Sequence, residues 1–143
     1  MPYEYWEKIV TSDVTFHAWA KSISELFSEA GDALIGVMVE SLESIDPVEQ
    51  TVVRLQNDSI EMLLLDVLQE QIFQKDAYGK LFRYKNSNVE RRGDHYYFEG
   101  VAQGEPMNGP KHCLQVDVKA VTMHMFNVTE KNGLWEATVV LDI

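Results

Sequence analysis

The chain has 143 residues, 45% of them hydrophobic, which suits one domain built around a single core. Its 23 acidic residues outnumber 12 basic ones, so a net charge of -11 disfavours tight direct binding to nucleic acid. The single cysteine, Cys113, excludes an internal disulfide or a thiolate-rich zinc site. No signal peptide or membrane span is predicted, because residues 1–11 already carry several charges. We therefore expect a cytoplasmic protein with one domain over residues 1–143.

The N-terminal part reads as two strands. Residues 3–6 and 14–19 alternate aromatic or apolar with polar residues, which is the period of half-buried strands, and the first could be a short edge strand. Asp13 stands at the start of the second strand, after Thr11-Ser12, in a run that is typical of a turn. An aspartate in a turn is usually only a turn residue, so its position alone does not make Asp13 a ligand.

Two helices are predicted. Ser22 and Glu25 have the spacing of a capping box, and the apolar residues that follow recur every three or four positions, leaving Glu29 and Asp32 to face water. A second capping box begins at Asp58 and precedes a helix that is apolar on most sides and ends near Gly79. Between the helices, residues 41–50 read as a loop and residues 51–55 as a β-branched strand.

The rest of the chain is predicted to be mostly strands, covering residues 81–85, 95–103, 114–128 and 134–143. Gly93-Asp94 and Asn132-Gly133 are hairpin signals, and the Asn-Gly pair favours a type I′ turn. These elements predict an α+β fold, in which two helices pack on a mostly antiparallel β-sheet.

The Asn132-Gly133 turn also predicts a register. If Lys131 faces Leu134, counting back along both strands places Met123 opposite Asp142 and His124 opposite Leu141. Lys119 and Asp142 would then share one face of the sheet. His124 would lie on the other face as a packed, hydrogen-bonded core histidine rather than a ligand.

The last strand runs to the final residue of the sequence. Since chain termini usually fray unless they are held, this pattern predicts fixed positions for Asp142 and for the carboxylate of Ile143. With Asp13 as a third oxygen donor, the set predicts a site for a hard divalent cation, calcium first, with magnesium or manganese as alternatives.

Signatures of catalysis are missing from the sequence. It has no glycine-rich phosphate loop, no Gly-x-Ser-x-Gly, no His-Glu-x-x-His and no Cys-x-x-Cys. Its four histidines show no pairing at metal-ligand spacing, which gives little support to an imidazole-based zinc or iron site. We therefore expect no enzymatic activity from this chain alone, and the cation would instead organise a phosphate that belongs to a partner.

The sequence resembles the archease family along nearly its whole length. The stretches that carry the resemblance are Thr11-Ser12-Asp13-Val14, His17-Ala18-Trp19, Glu25-Leu26-Phe27, Leu65-Asp66-x-Leu68-x-Glu70, Gly104-Glu105-Pro106, His112, Val118-Lys119-Ala120-Val121-Thr122-x-His124 and Val139-Val140-Leu141-Asp142-Ile143. The Lys-Ala-Val-Thr stretch combined with the terminal Leu-Asp-Ile is the most specific part of the match.

The resemblance implies an α+β protein cofactor of the GTP-dependent RNA ligase that joins 2′,3′-cyclic-phosphate or 3′-phosphate ends to 5′-hydroxyl ends in tRNA splicing. Family members are understood to promote guanylylation of the ligase and its repeated turnover. Their divalent-metal site is built from the residues that match Asp13, Asp142 and Ile143, and the position that matches Lys119 is also functional. RNA would meet this chain only through the ligase, and no membrane is involved.

The chain departs from the family pattern at three positions. Many relatives have a histidine where Val10 stands, a glycine at Ala20 and a tryptophan at Val67. Val10 puts in doubt a nitrogen ligand near the metal, whereas the other two changes are compatible with repacking. Two alternatives stay open at this point: a metal-dependent phosphoesterase using the same carboxylates, and a chaperone-like adaptor with a structural ion.

Overall fold

The computed structural model of the protein describes residues 2–6 and 13–143. Val10 and the Thr11-Ser12 turn lie outside these described residues. The elements in chain order are β1 (Tyr3–Trp6), β2 (Asp13–Ala20), α1 (Ile23–Met38), a 3-10 turn (Leu42–Ser44), β3 (Glu49–Asn57), α2 (Ile60–Tyr78), β4 (Lys80–Arg92), β5 (His95–Pro106), α3 (Gly109–His112), β6 (Ala120–Lys131) and β7 (Leu134–Asp142).

The strands form two antiparallel sheets. One has four strands in the order β1-β2-β7-β6, and the other has three in the order β3-β5-β4. The α+β class is confirmed, although the strands that the sequence suggested as one sheet are divided between two. The last predicted strand but one begins later than expected, because residues 114–119 precede β6 and contribute only an isolated bridge between Leu114 and Val39.

Local signals place both long helices. The Ser22 hydroxyl accepts a hydrogen bond from the Glu25 backbone N–H at 3.1 Å, as the capping box predicted. The second helix is capped by Ser59, one residue later than expected, because its hydroxyl accepts from the Met62 N–H. Gly79 ends this helix with a φ of 63°, a left-handed conformation that glycine adopts without a Cβ clash.

The core lies between the helices and the two sheets. Phe27 of α1 stacks on Phe98 of β5 with ring centroids 5.9 Å apart, while Phe16 and Leu141 contribute from the other sheet and are fully buried. Burial of each such side chain is worth about 1.5–3 kcal/mol relative to exposure. Since these residues belong to one continuous cluster, the two sheets and both long helices share a core.

Asp32 of α1, which was predicted to face water, forms an ion pair instead. Asp32 accepts two hydrogen bonds of 3.0 Å from the Arg83 guanidinium of β4, and both side chains are only 19% exposed. This paired geometry joins the first helix to the three-stranded sheet, and the hydrogen bonds that Arg83 donates to Asp32 raise the pKa of Arg83. Helical periodicity could not predict it, because the partner lies far away in sequence.

The β6–β7 hairpin confirms the predicted turn but not the predicted register. Asn132 and Gly133 both have positive φ, of 55° and 76°, and Lys131 pairs with Leu134. Between Thr122 and Asn127, however, the pairing shifts, so that Ala120 rather than Met123 lies opposite Asp142. A β-bulge adds unpaired residues to one strand. Because β6 has an odd number of extra residues, three, every β6 side chain beyond the bulge, counted from the turn, lies on the opposite face from the one predicted.

Candidate metal centre between β2 and β7

The first residue of β2 lies directly opposite the last residue of β7. Asp13 and Asp142 are cross-strand partners in the ladder, and the next pair is Val14 with Leu141, both buried. Successive side chains of a strand point to opposite faces, so the two carboxylates share the face that turns away from the core. Residues in this relation have Cβ atoms about 4.5–5.5 Å apart. The structure therefore brings together two aspartates that are 129 positions apart in the sequence.

This pair has an unfavourable electrostatic arrangement. Both aspartates are partly exposed, and neither has an ion pair or a side-chain hydrogen bond with any other residue in the part of the chain that the structure describes. Like charges directly opposite each other in an antiparallel ladder are destabilising, by about 0.2–1 kcal/mol on the scale of cross-strand pairs. A bound cation would remove that cost, which is a physical reason to place a ligand here.

Residues beside Asp142 complete the surroundings. Ala120 flanks Asp142 on β6, and the backbone N–H of Lys119 donates to the Asp142 carbonyl at 2.8 Å. Ile143 follows β7 directly and packs against the core, which fixes the position of the residue whose carboxylate was predicted as a ligand. The structure therefore gathers Asp13, Asp142, Ile143 and Lys119 at one end of the sheet.

Lys119 is exposed and lies just before β6. Its predicted place on the same face as Asp142 depended on a regular register from the turn, and the shift between Thr122 and Asn127 removes that basis. What the structure retains is proximity through the backbone, since Lys119 is tied to Asp142 by the hydrogen bond described above. Its ammonium is on a long flexible stem, which suits a role as a mobile point charge.

Lys75, which sequence reasoning missed, supports this end of the sheet. Its side chain is 3% exposed, and its ammonium donates to the Val118 carbonyl at 2.7 Å and pairs with Asp117 and with Asp76. Burial lowers the pKa of this amine, but the hydrogen bonds to the two aspartates outweigh burial, so the pKa is raised and the amine stays charged. Lys75 thus anchors the segment that leads into Lys119. A lysine at an apolar helix position was the only signal that sequence offered.

The donor set fits a hard cation only in part. Across residues 2–6 and 13–143, no three His, Cys, Asp or Glu side chains cluster closely enough to hold a metal. Asp13 and Asp142 supply carboxylate oxygens, the ligand type that calcium and magnesium prefer, but calcium takes six to eight oxygens. The carboxylate of Ile143 would be a third donor, and the remaining positions would be open to water or to phosphate oxygens of a partner.

Two histidines behave differently from each other. His124, expected to be packed in the core, is exposed, because the register shift places it in the irregular part of β6. His112 is fully buried: its Nδ1 accepts from the Asn108 backbone N–H, so its Nε2–H donates to Glu105 at 2.9 Å. With both ring nitrogens occupied, His112 has a structural role in the link between β5 and β6.

Glu105 is the centre of a second, satisfied cluster. It receives hydrogen bonds from the Lys111 ammonium at 2.8 Å, from the Asp46 backbone N–H at 2.8 Å and from His112. These three donors, Lys111 first, lower the pKa of Glu105 to about 2. Lys111 also pairs with the Asp46 carboxylate at 2.7 Å, so each charge in this cluster has a partner.

No helix within the described ranges is both long and apolar enough to cross a membrane.

Comparisons with known proteins agree along the full chain. Residues 3–143 match the model of the Archease protein family (MTH1598/TM1083). A protein archease from Methanopyrus kandleri is 32% identical over 139 residues, covering 96% of this chain and 99% of that one, and another from Pyrococcus furiosus is 27% identical, covering 93% and 94%.

Solved structures show the same fold. The solution structure of Methanobacterium thermoautotrophicum protein 1598 has a TM-score of 0.84 at 29% identity and covers 99% of both chains. The crystal structure of an archease, titled a possible chaperone, from Thermotoga maritima has a TM-score of 0.64 at 17% identity and covers 98% of this chain and 99% of that one, which supports the fold alone. The whole-length family match and the Methanopyrus relative together show that the chain belongs to the archease protein family.

Proposed function

We propose that this chain is a non-enzymatic activator of a GTP-dependent RNA ligase that joins 2′,3′-cyclic-phosphate or 3′-phosphate ends to 5′-hydroxyl ends in tRNA splicing. It would promote guanylylation of the ligase and allow multiple turnover. Family membership supports the class of partner, and the observation that carries the proposal is the directly opposed Asp13 and Asp142. The chain would contact RNA only indirectly, through the ligase, and would act in the cytoplasm.

The proposed site is an oxygen-only cation site shared with the partner. Asp13, Asp142 and the carboxylate of Ile143 would hold calcium, or alternatively magnesium or manganese, which would neutralise the carboxylates and leave coordination positions for phosphate oxygens. Lys119, tied through its backbone to Asp142, would add a positive charge beside that phosphate. The rest of the acidic surface, with a net charge of -11, favours approach to a basic nucleotide-binding cleft.

A single-turnover guanylylation assay tests this proposal. The ligase is mixed with labelled GTP and the divalent cation, with or without this chain, and GMP transfer to the ligase is followed. Asp142→Asn, which keeps the side-chain shape but removes the charge, should lose stimulation. Asp94→Asn is a matched control, because Asp94 is an exposed aspartate in the distant β4–β5 hairpin. Equal stimulation by the two variants would refute a role for the carboxylate pair.

The same samples separate the alternatives. A phosphoesterase would hydrolyse p-nitrophenyl phosphate in the absence of the ligase, with a rate that falls in Asp142→Asn. A chaperone-like adaptor, the role that the Thermotoga maritima title suggests for that protein, would stimulate the ligase equally before and after treatment with a chelator. The activator proposal expects neither result.

A further inference from the structure

A second surface lies next to the carboxylate pair, on the outer face of the four-stranded sheet. Glu4 pairs with His17, and Trp19 with Glu136, while Trp6 pairs with Thr15 two residues along β2 from Asp13. Two residues of strand span about 7 Å, so this surface is continuous with the aspartates. We call the set Glu4, Trp6, His17, Trp19 and Glu136 the acidic-aromatic face.

The rings of this face are organised in a row. Trp6 stacks on His17 with ring centroids 5.4 Å apart, and His17 lies 5.8 Å from Trp19. Trp6 is 42% exposed, so this end of the row is open to solvent. Exposed aromatic surface rimmed by polar groups marks interaction sites more often than chance positions do.

Carboxylates flank the row on both sides. The Glu4 carboxylate accepts from the Trp6 indole N–H at 3.1 Å, and the Glu136 carboxylate lies 3.4 Å from His17 Nε2. Faces of tryptophan rings attract cations, and neighbouring carboxylates strengthen that attraction. The face therefore combines the two groups that recognise a guanidinium or an ammonium.

The other sheet shows how this protein satisfies such a combination internally. Arg92 lies over the Tyr97 ring, 4.8 Å from its centroid, and its Nη2 is 2.8 Å from the Glu90 carboxylate. All four arginines of the chain belong to β3 and β4, so none lies in the four-stranded sheet. The acidic-aromatic face offers an aromatic ring and a carboxylate, as Tyr97 and Glu90 do, but no arginine from this chain's own strands lies beside it.

We propose that the acidic-aromatic face docks an arginine-rich segment of a partner protein. A guanidinium stacks on a ring and pairs with a carboxylate in the same plane, which an ammonium cannot do, so arginine is favoured over lysine. The inference rests on the proposed function only for the identity of the partner. If that partner is the ligase, its arginine-rich segment would position it against Asp13 and Asp142. The chain's negative charge speaks against RNA as the occupant, although rings can also stack on bases.

Indole N–H signals in a ¹⁵N–¹H NMR spectrum test docking without the ligase. The chain has three tryptophans, and Trp135 packs against the core, so it is an internal control for Trp6 and Trp19. The probes are hexa-arginine amide, hexa-lysine amide and a uridine decamer, all at one physiological ionic strength. Hexa-arginine should shift the Trp6 and Trp19 signals at lower concentration than hexa-lysine and leave Trp135 unchanged. Equal shifts of all three, or shifts of Trp6 and Trp19 by the RNA alone, would overturn the proposal.

Two pairs of substitutions, each matched in its effect on the net charge, distinguish specific contacts of this face from general electrostatic attraction. Trp6→Leu should weaken hexa-arginine binding about two- to five-fold, the range of an exposed cation–π contact. Phe73→Leu is the control, since Phe73 is 51% exposed on α2. Glu136→Gln should also weaken binding more than Glu130→Gln, which changes an exposed carboxylate at the same hairpin. Equal affinities within both pairs would overturn the proposal.

A ligase experiment separates this inference from the proposed function. Trp6→Leu should raise the concentration of the chain that gives half-maximal stimulation of guanylylation, whereas Phe73→Leu should not. If Asp142→Asn stimulates as well as the parent does, the proposed function fails, yet the peptide results still decide docking. If Asp142→Asn is inactive and Trp6→Leu behaves as Phe73→Leu does with both peptide and ligase, docking fails and the proposed function stands.

Discussion

Two carboxylate clusters in this protein differ in how their charge is balanced. Glu105 is nearly buried and has Lys111, His112 and a backbone N–H as partners, whereas Asp13 and Asp142 face each other with no described side chain between them. A fully paired cluster stabilises the fold and has no capacity left for a ligand. An unbalanced pair of charges costs free energy until a cation or partner arrives. In a chain this acidic, the unpaired carboxylates are therefore the ones that remain able to bind a cation or a partner.

The largest effect is expected from removing one of the two unpaired carboxylates, Asp13 or Asp142. Asp13→Ala and Asp142→Ala should each weaken calcium binding by about ten-fold or more, because each removes carboxylate oxygens from a small donor set. Without metal, either variant should melt at the parent's temperature or slightly above it, since like-charge repulsion is relieved. Calorimetric titration with calcium and a thermal melt measure both effects. Unchanged calcium affinity in both variants would contradict the site.

A substitution at Lys119 tests whether the end of the sheet that carries Asp13 and Asp142 stimulates guanylylation of the ligase. Lys119→Ala should keep its melting temperature and its calcium affinity, because the side chain is exposed. It should nevertheless lose about ten-fold of its stimulation of guanylylation, the effect of one lost hydrogen bond to a charged group. Lys85→Ala, which removes an exposed lysine of β4, is the control in the same labelled-GTP assay. If both variants stimulate equally, Lys119 is only a surface residue.

Lys75 links the two kinds of cluster, because its own charge is paired with Asp76 and Asp117 while it anchors the segment beside the unpaired Asp13 and Asp142. Lys75→Met should lower the free energy of unfolding by about 1–3 kcal/mol, since the Val118 carbonyl loses its buried donor. Calcium affinity should fall as well, because the segment before Lys119 is no longer anchored. Denaturant unfolding and calorimetry measure the two effects. A stability loss with unchanged calcium affinity would show that Lys75 supports the fold but not the site.

A smaller effect is expected at Ile143. A short C-terminal extension should reduce calcium affinity, but less than either aspartate substitution, because water can replace one oxygen donor of several. A tag of the same sequence on the N-terminal side is the control. Calorimetric titration of both tagged proteins decides the point, and equal affinities would remove the Ile143 carboxylate from the ligand set.

The smallest effect on calcium binding is expected at Glu105, which instead controls how stability depends on pH. Its folded pKa of about 2 lies below the ordinary value of 4.5, so its stabilising contribution is complete above pH 4.5 and is lost as the pH falls towards 2. Parent protein should therefore lose more stability between pH 7 and pH 3 than Glu105→Gln does, in urea unfolding at both values. Calcium affinity at neutral pH should be the same for the two proteins. Parallel pH profiles would contradict the assigned pairing of Glu105.

Features that depend on neighbours in sequence were predictable. The Ser22 cap, the Gly79 end of α2 and the Asn132-Gly133 turn were all confirmed, because each arises from a side-chain hydrogen bond or a backbone conformation within a few residues. The α+β class followed from the order of these elements and is confirmed. The expectation of one domain over residues 1–143, and of a cation at Asp13, Asp142 and Ile143, stays a prediction.

Tertiary structure decided what lies beside what. The sequence by itself determined where the two long helices begin, where α2 ends and where the last hairpin turns, to within a residue or two, since local hydrogen bonding controls those points. It did not determine the end of β4 or the start of β6, which lie several residues from the predicted bounds. It could not determine the shift between Thr122 and Asn127, which reversed the expected faces and exposed His124, because a bulge depends on the packing of the strands beside it. Nor could it reveal that Lys75 is buried, because Asp117 and the Val118 carbonyl meet it only when the chain is folded.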